Sequence, residues 1–161
     1  MIVLLIEMST ERGCIALFKN KDLIYHATLN SVIPNSKNLF PEIIKAFTAT
    51  SLTPEDLKLL IVGVGPGSYT GIRVGAVTAK ALSLSLNIPL VGVCSLEGFI
   101  PKKDGPFASM IDAKIGGVYC QTGVIEGGVV KNLSKPSLYS IEEAVSNLKE
   151  IPVLVTPKSG S

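Results

Sequence analysis

The chain has 161 residues, 47% hydrophobic and 17% charged, with a formal net charge of +2 at pH 7, which predicts a globular fold whose apolar surface is partly covered by a partner. Its longest apolar runs, 1–6 and 59–64, are far shorter than the roughly 18 residues that a membrane span requires, so we expect a cytoplasmic protein without a membrane segment. Three cysteines without CxxC spacing, and lysines that form no basic stripe, argue against a disulfide framework, a zinc knuckle and direct binding of nucleic acid.

The first part of the chain predicts an antiparallel meander followed by a helix. Strands are expected at 3–7, 14–19 and 23–29, because short turn sequences separate three apolar-rich segments. A helix is expected at 37–50. Its apolar face, expected to pack on a sheet, consists of Leu39, Phe40, Ile43, Ile44 and Phe47.

A strand–helix–strand unit follows. The all-apolar segment 59–64 predicts a strand that is buried on both faces and parallel to its neighbours. A helix is expected at 70–86 and a further strand at 88–93. The sequence thus predicts an α/β fold with a mixed sheet, in which the first three strands are antiparallel and helices form the crossovers.

The same order of elements begins again after a hinge-like segment at 102–106. The expected elements are strands at 107–112, 118–125, 129–133 and 152–155, and a helix at 141–149. We therefore predict a duplicated fold with lobes at 1–100 and 101–161. The second lobe is expected to be incomplete, because no counterpart of the helix at 70–86 follows, whether through truncation or because a tail replaces it.

The glycine-rich segment 63–80 lacks the lysine of a phosphate-binding Walker loop and the spacing of a dinucleotide fingerprint. Within the predicted helix, small residues recur every four positions, at Gly71, Gly75, Ala79 and Ser83. Such a stripe permits close approach of another helix, which belongs either to a partner or to the chain itself. The face expected to contact the sheet consists of Val74, Val77, Ala81 and Leu84.

Two carboxylates stand at equivalent points of the repeat, since Glu7 and Asp112 each end the first strand of a copy. They are interpreted either as caps of the following turns or as a pair that holds magnesium through water. With Ser9 and Thr10, they are the candidate residues for a phosphate site. The single histidine, His26, lies in a predicted strand and supports neither a metal site nor a nucleophile–base pair.

Four motifs together resemble the TsaB family, also called YeaZ, of the actin-like ATPase superfamily. They are "LLIEMSTERGCIAL" (4–17), "GPGSYTGIRVG" (65–75), "SLEGF" (95–99) and "IDAKIGGVY" (111–119). The resemblance implies a duplicated ribonuclease-H-like fold. It also implies a non-catalytic subunit that supports the catalytic TsaD subunit in the biosynthesis of threonylcarbamoyladenosine on transfer RNA. The alternative is a stand-alone actin-like ATPase or phosphotransferase.

The resemblance further implies that the helices at 37–50 and 70–86 pack on the partner as a helical bundle. The residues expected to bind the partner are Leu39, Ile43, Phe47, Gly71, Arg73, Gly75, Ala79 and Ser83. A Gly75→Leu substitution is then expected to block association without unfolding the chain. ATP and metal are expected on the TsaD-like subunit and not on this chain. A TsaE-like ATPase is expected in the complex, transfer RNA is reached only through the complex, and the chain alone is expected to form a homodimer.

Overall fold

The computed structural model of the chain describes residues 1–29 and 35–157. The chain divides into two compact units, Met1–Val93 and Cys94–Ser161. This division lies ahead of the predicted boundary at residue 100. The reason is that the short 3₁₀ helix Ser95–Gly98 contacts the first strand of the second unit, and the hydroxyl of Ser109 donates to the Phe99 carbonyl at 2.6 Å.

The first unit is one five-stranded mixed sheet with two long helices. Its elements are β1 (Ile2–Glu7), β2 (Gly13–Lys19), β3 (Asp22–Leu29), α1 (Asn35–Thr50), β4 (Leu57–Gly63), α2 (Tyr69–Leu86) and β5 (Leu90–Val93). The strand order is β3-β2-β1-β4-β5. The first three strands pair antiparallel, while β4 pairs parallel to both β1 and β5. The predicted meander and helical crossovers are confirmed.

The core of this unit forms where the central strands meet the helices. Leu4 and Ile6 of β1, and Leu60 of β4, are fully buried because these strands have neighbours on both edges. Ile43 and Phe47 belong to the same buried cluster, so α1 packs on the sheet as predicted, although Phe40 and Ile44 of the predicted apolar face are exposed.

Side-chain hydrogen bonds define both ends of α2. The Gly71 N–H donates to the hydroxyl of the N-cap residue Ser68 at 3.3 Å. At the other end Asn87 adopts a left-handed conformation with φ of 51°, and the hydroxyl of Ser83 donates to the Ile88 carbonyl at 2.6 Å. Because Ile88 takes part in this helix end, β5 begins at Leu90 and not at residue 88.

The second unit repeats part of the topology of the first. Its elements are β6 (Gly105–Asp112), β7 (Gly117–Glu126), β8 (Val129–Lys131), β9 (Ser137–Ser140), α3 (Ile141–Leu148) and β10 (Val153–Val155). The sheet order is β10-β6-β7-β8, and β9 also pairs with β7. Since β6 pairs along nearly the whole of β7, the short strands β8 and β9 share the other edge of β7 and together replace a single third strand.

This correspondence confirms the predicted duplication. Strands β6 and β7 match β1 and β2, helix α3 matches α1, and β10 pairs parallel to β6 as β4 does to β1. Within residues 94–157 no counterpart of α2 or β5 is present. None of the described helices is long and apolar enough to cross a lipid bilayer.

Candidate functional site

The glycine-rich segment before α2 packs on the chain that leaves β1. The Ser68 N–H donates to the Ser9 carbonyl at 2.6 Å. A Cβ on Gly67 would overlap this same carbonyl, and a Cβ on Gly71 would overlap the Met8 carbonyl. Because these neighbours are backbone atoms that cannot rotate away, the glycines allow two chain segments of the same unit to lie in contact.

The small-residue stripe of α2 continues this contact along the sheet. Gly75 and Ala79 are buried, and a Cβ on Gly75 would lie 3.1 Å from Cγ of Met8 and 3.6 Å from Cγ2 of Ile6. The Ser83 hydroxyl donates a hydrogen bond to the Ile88 carbonyl at the C-terminal end of the helix. Gly75 and Ala79 are therefore covered by the chain itself and are not open to a partner's helix as expected, whereas partner binding at the partly exposed Gly71 and Ser83 stays a prediction.

The other predicted face of α2 points outward. Val77 is 68% exposed and Leu84 is 73% exposed, and Ala81 is exposed between them. Only Val74 of the predicted sheet-contacting set packs against the core. The two faces of α2 are thus exchanged relative to the prediction.

Helix α1 also separates its apolar residues into two sides. Leu39, Ile43 and Phe47, which were expected to bind a partner, are buried in the core of the unit. This expectation is wrong, because the sheet already covers these three side chains. Phe40 and Ile44, each one position later, are 55% and 54% exposed.

The exposed apolar residues of the two helices define a candidate site. Helices α1 and α2 contact each other within the first unit. We name the exposed side of this helix pair the outer helical face, and its residues are Phe40, Ile44, Tyr69, Arg73, Val77 and Leu84.

Arg73 is the one residue of the outer helical face that the sequence predicted as partner-binding. Its guanidinium lies over the Tyr69 ring, 5.2 Å from the centroid, and donates to the Tyr69 hydroxyl at 3.3 Å. The other members were missed, because sequence periodicity gives the spacing of an apolar face and not the direction in which it points.

Glu7 and Asp112 cap equivalent turns in the two units. The Ser9 N–H donates to Oε1 of Glu7 at 2.6 Å, and the Lys114 N–H donates to Oδ1 of Asp112 at 2.7 Å. The backbone and side-chain bonds from Lys114 lower the pKa of Asp112 below its usual value. Each carboxylate therefore caps a turn within its own unit. Their joint action on a magnesium ion stays a prediction.

The remaining phosphate-site candidates, Ser9 and Thr10, lie in the turn that follows β1. Ser9 is 1% exposed, and the Thr10 hydroxyl donates to the Arg12 carbonyl at 3.1 Å. The Glu7 carboxylate lies where a Cβ on Gly63 would be, at the ends of β1 and β4. Across residues 1–29 and 35–157, no three His, Cys, Asp or Glu side chains are grouped as ligands of a metal ion.

Comparison with known proteins identifies the family. A family model described as TsaD, tRNA N6-adenosine threonylcarbamoyltransferase, matches residues 33–156. The chain is 30% identical to the tRNA threonylcarbamoyladenosine biosynthesis protein TsaB of Buchnera aphidicola subsp. Schizaphis graminum over 163 aligned residues, which cover 96% of this chain and 77% of that protein. The chain belongs to the TsaB family, within the larger group that the TsaD model describes.

Two further TsaB relatives support this assignment. The Bacillus subtilis TsaB protein is 29% identical over 153 residues, covering 93% of this chain and 67% of its own length. The Escherichia coli TsaB protein is 28% identical over 149 residues, covering 86% of this chain and 64% of its own length.

A solved structure of a TsaB-family protein supports the fold. YeaZ from Pseudomonas aeruginosa superposes with a TM-score of 0.79 at 17% identity, covering 98% of this chain and 84% of that one. The match confirms the predicted ribonuclease-H-like, actin-like fold of the TsaB family, and the outer helical face is a surface of that fold.

Proposed function

We propose that this chain is a non-catalytic subunit that binds a TsaD-like transferase subunit in the cytoplasm, during biosynthesis of threonylcarbamoyladenosine on transfer RNA. The observation that carries the proposal is the outer helical face, an exposed apolar surface on two adjacent helices. The pathway comes from the TsaB relatives, which are named for this biosynthesis.

The composition of the outer helical face supports protein binding. Phe40, Ile44, Val77 and Leu84 are each more than half exposed, although large apolar side chains favour burial. Tyr69 and Arg73 add the two residue types that, with tryptophan, dominate binding energy at protein interfaces. Two neighbouring helices with exposed apolar residues at i, i+4 spacing fit a second helix pair, giving a four-helix contact.

The turn-capping role of the phosphate-site candidates supports a subunit without its own chemistry. Glu7 and Asp112 bind the N–H groups of their own turns. Because each carboxylate already accepts from its own turn, we assign ATP and metal to the transferase subunit. A TsaE-like ATPase and transfer RNA then join through the complex, and a second copy of the chain can occupy the outer helical face when the transferase subunit is absent.

The proposal is tested by measuring affinity for the TsaD-like subunit of the same cell with titration calorimetry. Val77→Glu is expected to weaken binding by at least about 100-fold, because it buries a charge in an apolar contact. Val129→Glu is the matched control, since Val129 is 59% exposed in the second unit and is expected to change the affinity less than about twofold.

Circular dichroism and thermal unfolding establish that both variants remain folded. Equal affinities of the Val77→Glu variant and the unmodified chain would exclude the outer helical face as the docking site. Failure of the unmodified chain to bind any TsaD-like subunit would overturn the proposed function itself.

The alternative function, a stand-alone ATPase or phosphotransferase, is not favoured, because the curated relatives are named for the modification pathway. It makes a separate prediction, which is magnesium-dependent binding of ATP by the isolated chain. We expect calorimetry with ATP and magnesium to give no heat of binding. A magnesium-dependent heat that Glu7→Gln abolishes would support the alternative.

A further inference from the structure

We propose that the outer helical face selects a partner whose docking helices carry carboxylates, and that its own cations oppose pairing with a second copy of this chain. This inference rests on the proposed function and specifies the chemistry of the partner's surface. It is carried by the sign and spacing of the charges on α1 and α2.

Helix α2 has cations within its exposed apolar line. Its charged residues are Arg73 and Lys80, both exposed, and the helix has no acidic residue. With Val77 and Leu84 they follow spacings of four, three and four positions, so all four lie along one side of the helix. Any helix that packs along Val77 and Leu84 therefore meets Arg73 and Lys80.

Helix α1 adds further positive charge. Lys37 and Lys45 are exposed. Its single acid, Glu42, has a side chain only 20% exposed, which accepts from the Tyr25 hydroxyl at 2.5 Å and pairs with the Lys45 ammonium at 3.3 Å. Among the side chains of residues 37–50 and 69–86, none is an exposed carboxylate.

A symmetric pair of copies would bring these charges together. In a two-fold dimer the same patch meets itself, so Arg73 and Lys80 of one copy lie opposite α1 or α2 of the other, and neither helix has an exposed carboxylate within residues 37–50 and 69–86. This holds whether the two helices run parallel or antiparallel. Apolar neighbours such as Val77 exclude water and strengthen the repulsion.

A partner with carboxylates avoids the repulsion between like charges and instead attracts the cations of the outer helical face. The planar Arg73 guanidinium is held over the Tyr69 ring, which orients it before binding. A carboxylate can then accept two parallel hydrogen bonds from it. A partner with acidic residues in its docking helices therefore binds the outer helical face in preference to a second copy.

The opposite effects of salt on the two associations test the inference. Self-association of the isolated chain is measured by sedimentation equilibrium, and binding to the TsaD-like subunit by calorimetry, at about 50 mM and about 500 mM salt. We expect salt to strengthen self-association several-fold, because it screens like charges. We expect it to weaken binding of the TsaD-like subunit by about tenfold, because it screens opposite charges.

Charge reversal gives a second, independent readout. The double variant Arg73→Glu/Lys80→Glu is expected to lose about 100-fold in affinity for the TsaD-like subunit and to pair with the unmodified chain more tightly than either pairs with itself. The matched control is Lys102→Glu/Lys103→Glu, which makes the same change of net charge at exposed lysines of the second unit and is expected to leave both associations unchanged.

The possible failures are distinguishable. Strong binding of the TsaD-like subunit that neither salt nor the Arg73/Lys80 variant alters would overturn the inference and leave the proposed function intact. Loss of transfer RNA binding by the isolated variant, with unchanged subunit affinity, would assign the cations to RNA and also overturn it. Absence of any binding between the unmodified chain and the TsaD-like subunit would overturn both.

Discussion

Gly71 lies against the carbonyl group of Met8, so closely that a Cβ on residue 71 would overlap the Met8 oxygen. This relationship explains the glycine at the start of α2, where alanine would favour the helix by about 1 kcal/mol. The contact joins the end of β1 to the helix that carries four of the six residues of the outer helical face. Packing within the first unit therefore accounts for a glycine at this position.

The Gly71→Ala variant tests this contact. We expect it to lower the free energy of unfolding by about 1–3 kcal/mol, although alanine is the better helix former, because the Met8 backbone has to move. Gly75→Ala is the graded control, since its Cβ meets side-chain atoms of Met8 and Ile6, the nearest at 3.1 Å, and no backbone atom, so a smaller effect is expected. Urea unfolding measures both variants, and a stabilised Gly71→Ala variant would contradict the close contact.

Cys14 is expected to react slowly as a thiol. Burial, and then the charge of Glu7 opposite it in the β1–β2 pair, raise the pKa of Cys14 from 9.0 to about 11. Near neutral pH the thiolate fraction is then roughly 100-fold smaller than in the unfolded chain. Alkylation by iodoacetamide, followed at Cys14 by peptide mass spectrometry in native buffer and in urea, measures this difference. Equal alkylation rates in native buffer and in urea would show that the fold does not raise the pKa of Cys14.

Ionisation of Tyr25 is expected to lower the free energy of unfolding at alkaline pH. Its hydrogen bond to Glu42, then burial and the charge of that carboxylate, raise the pKa of Tyr25 from 10.0 to about 12. The folded state favours the neutral phenol, so the contribution is complete below pH 10 and declines as pH rises towards 12. The unfolding free energy is expected to fall over this range, and to fall less in Tyr25→Phe.

Ultraviolet titration of tyrosinate measures the same group directly. One of the four tyrosines should ionise late in the unmodified chain, and Glu42→Gln should return it towards its ordinary pKa. If Glu42→Gln leaves all four tyrosines titrating as before, the hydrogen bond is not what raises the pKa of Tyr25.

The sequence predicted most elements of the fold, because apolar periodicity and turn residues are local signals. It missed β9, whose residues follow Pro136 in a serine-rich segment typical of a loop, and which pairs only through contact with β7. It also exchanged the two faces of α2. Arg73 and Lys80 lie on the same side as Val77, whereas Gly75 lies on the uncharged side, which packs against Met8, more than sixty residues earlier in the chain.

Adjacent isoleucines in α1 provide the sharpest test of which side the partner contacts. Ile43 is 2% exposed in the core, whereas Ile44 is 54% exposed on the outer helical face. Ile43→Ala is expected to lower the free energy of unfolding by about 2–5 kcal/mol and to leave the affinity of the folded chain for the TsaD-like subunit unchanged. Ile44→Ala removes the same atoms at the surface and is expected to change stability by less than about 0.5 kcal/mol.

The affinity of the Ile44→Ala variant for the TsaD-like subunit should fall by about tenfold, because a side chain buried only in the complex is lost. Urea unfolding and titration calorimetry on both variants separate the two effects. The reverse result, with Ile43→Ala folded but unable to bind and Ile44→Ala binding normally, would restore the partner-binding role first expected for Leu39, Ile43 and Phe47. Because the two substitutions are chemically identical and one residue apart, only the direction of each side chain can account for a difference between them.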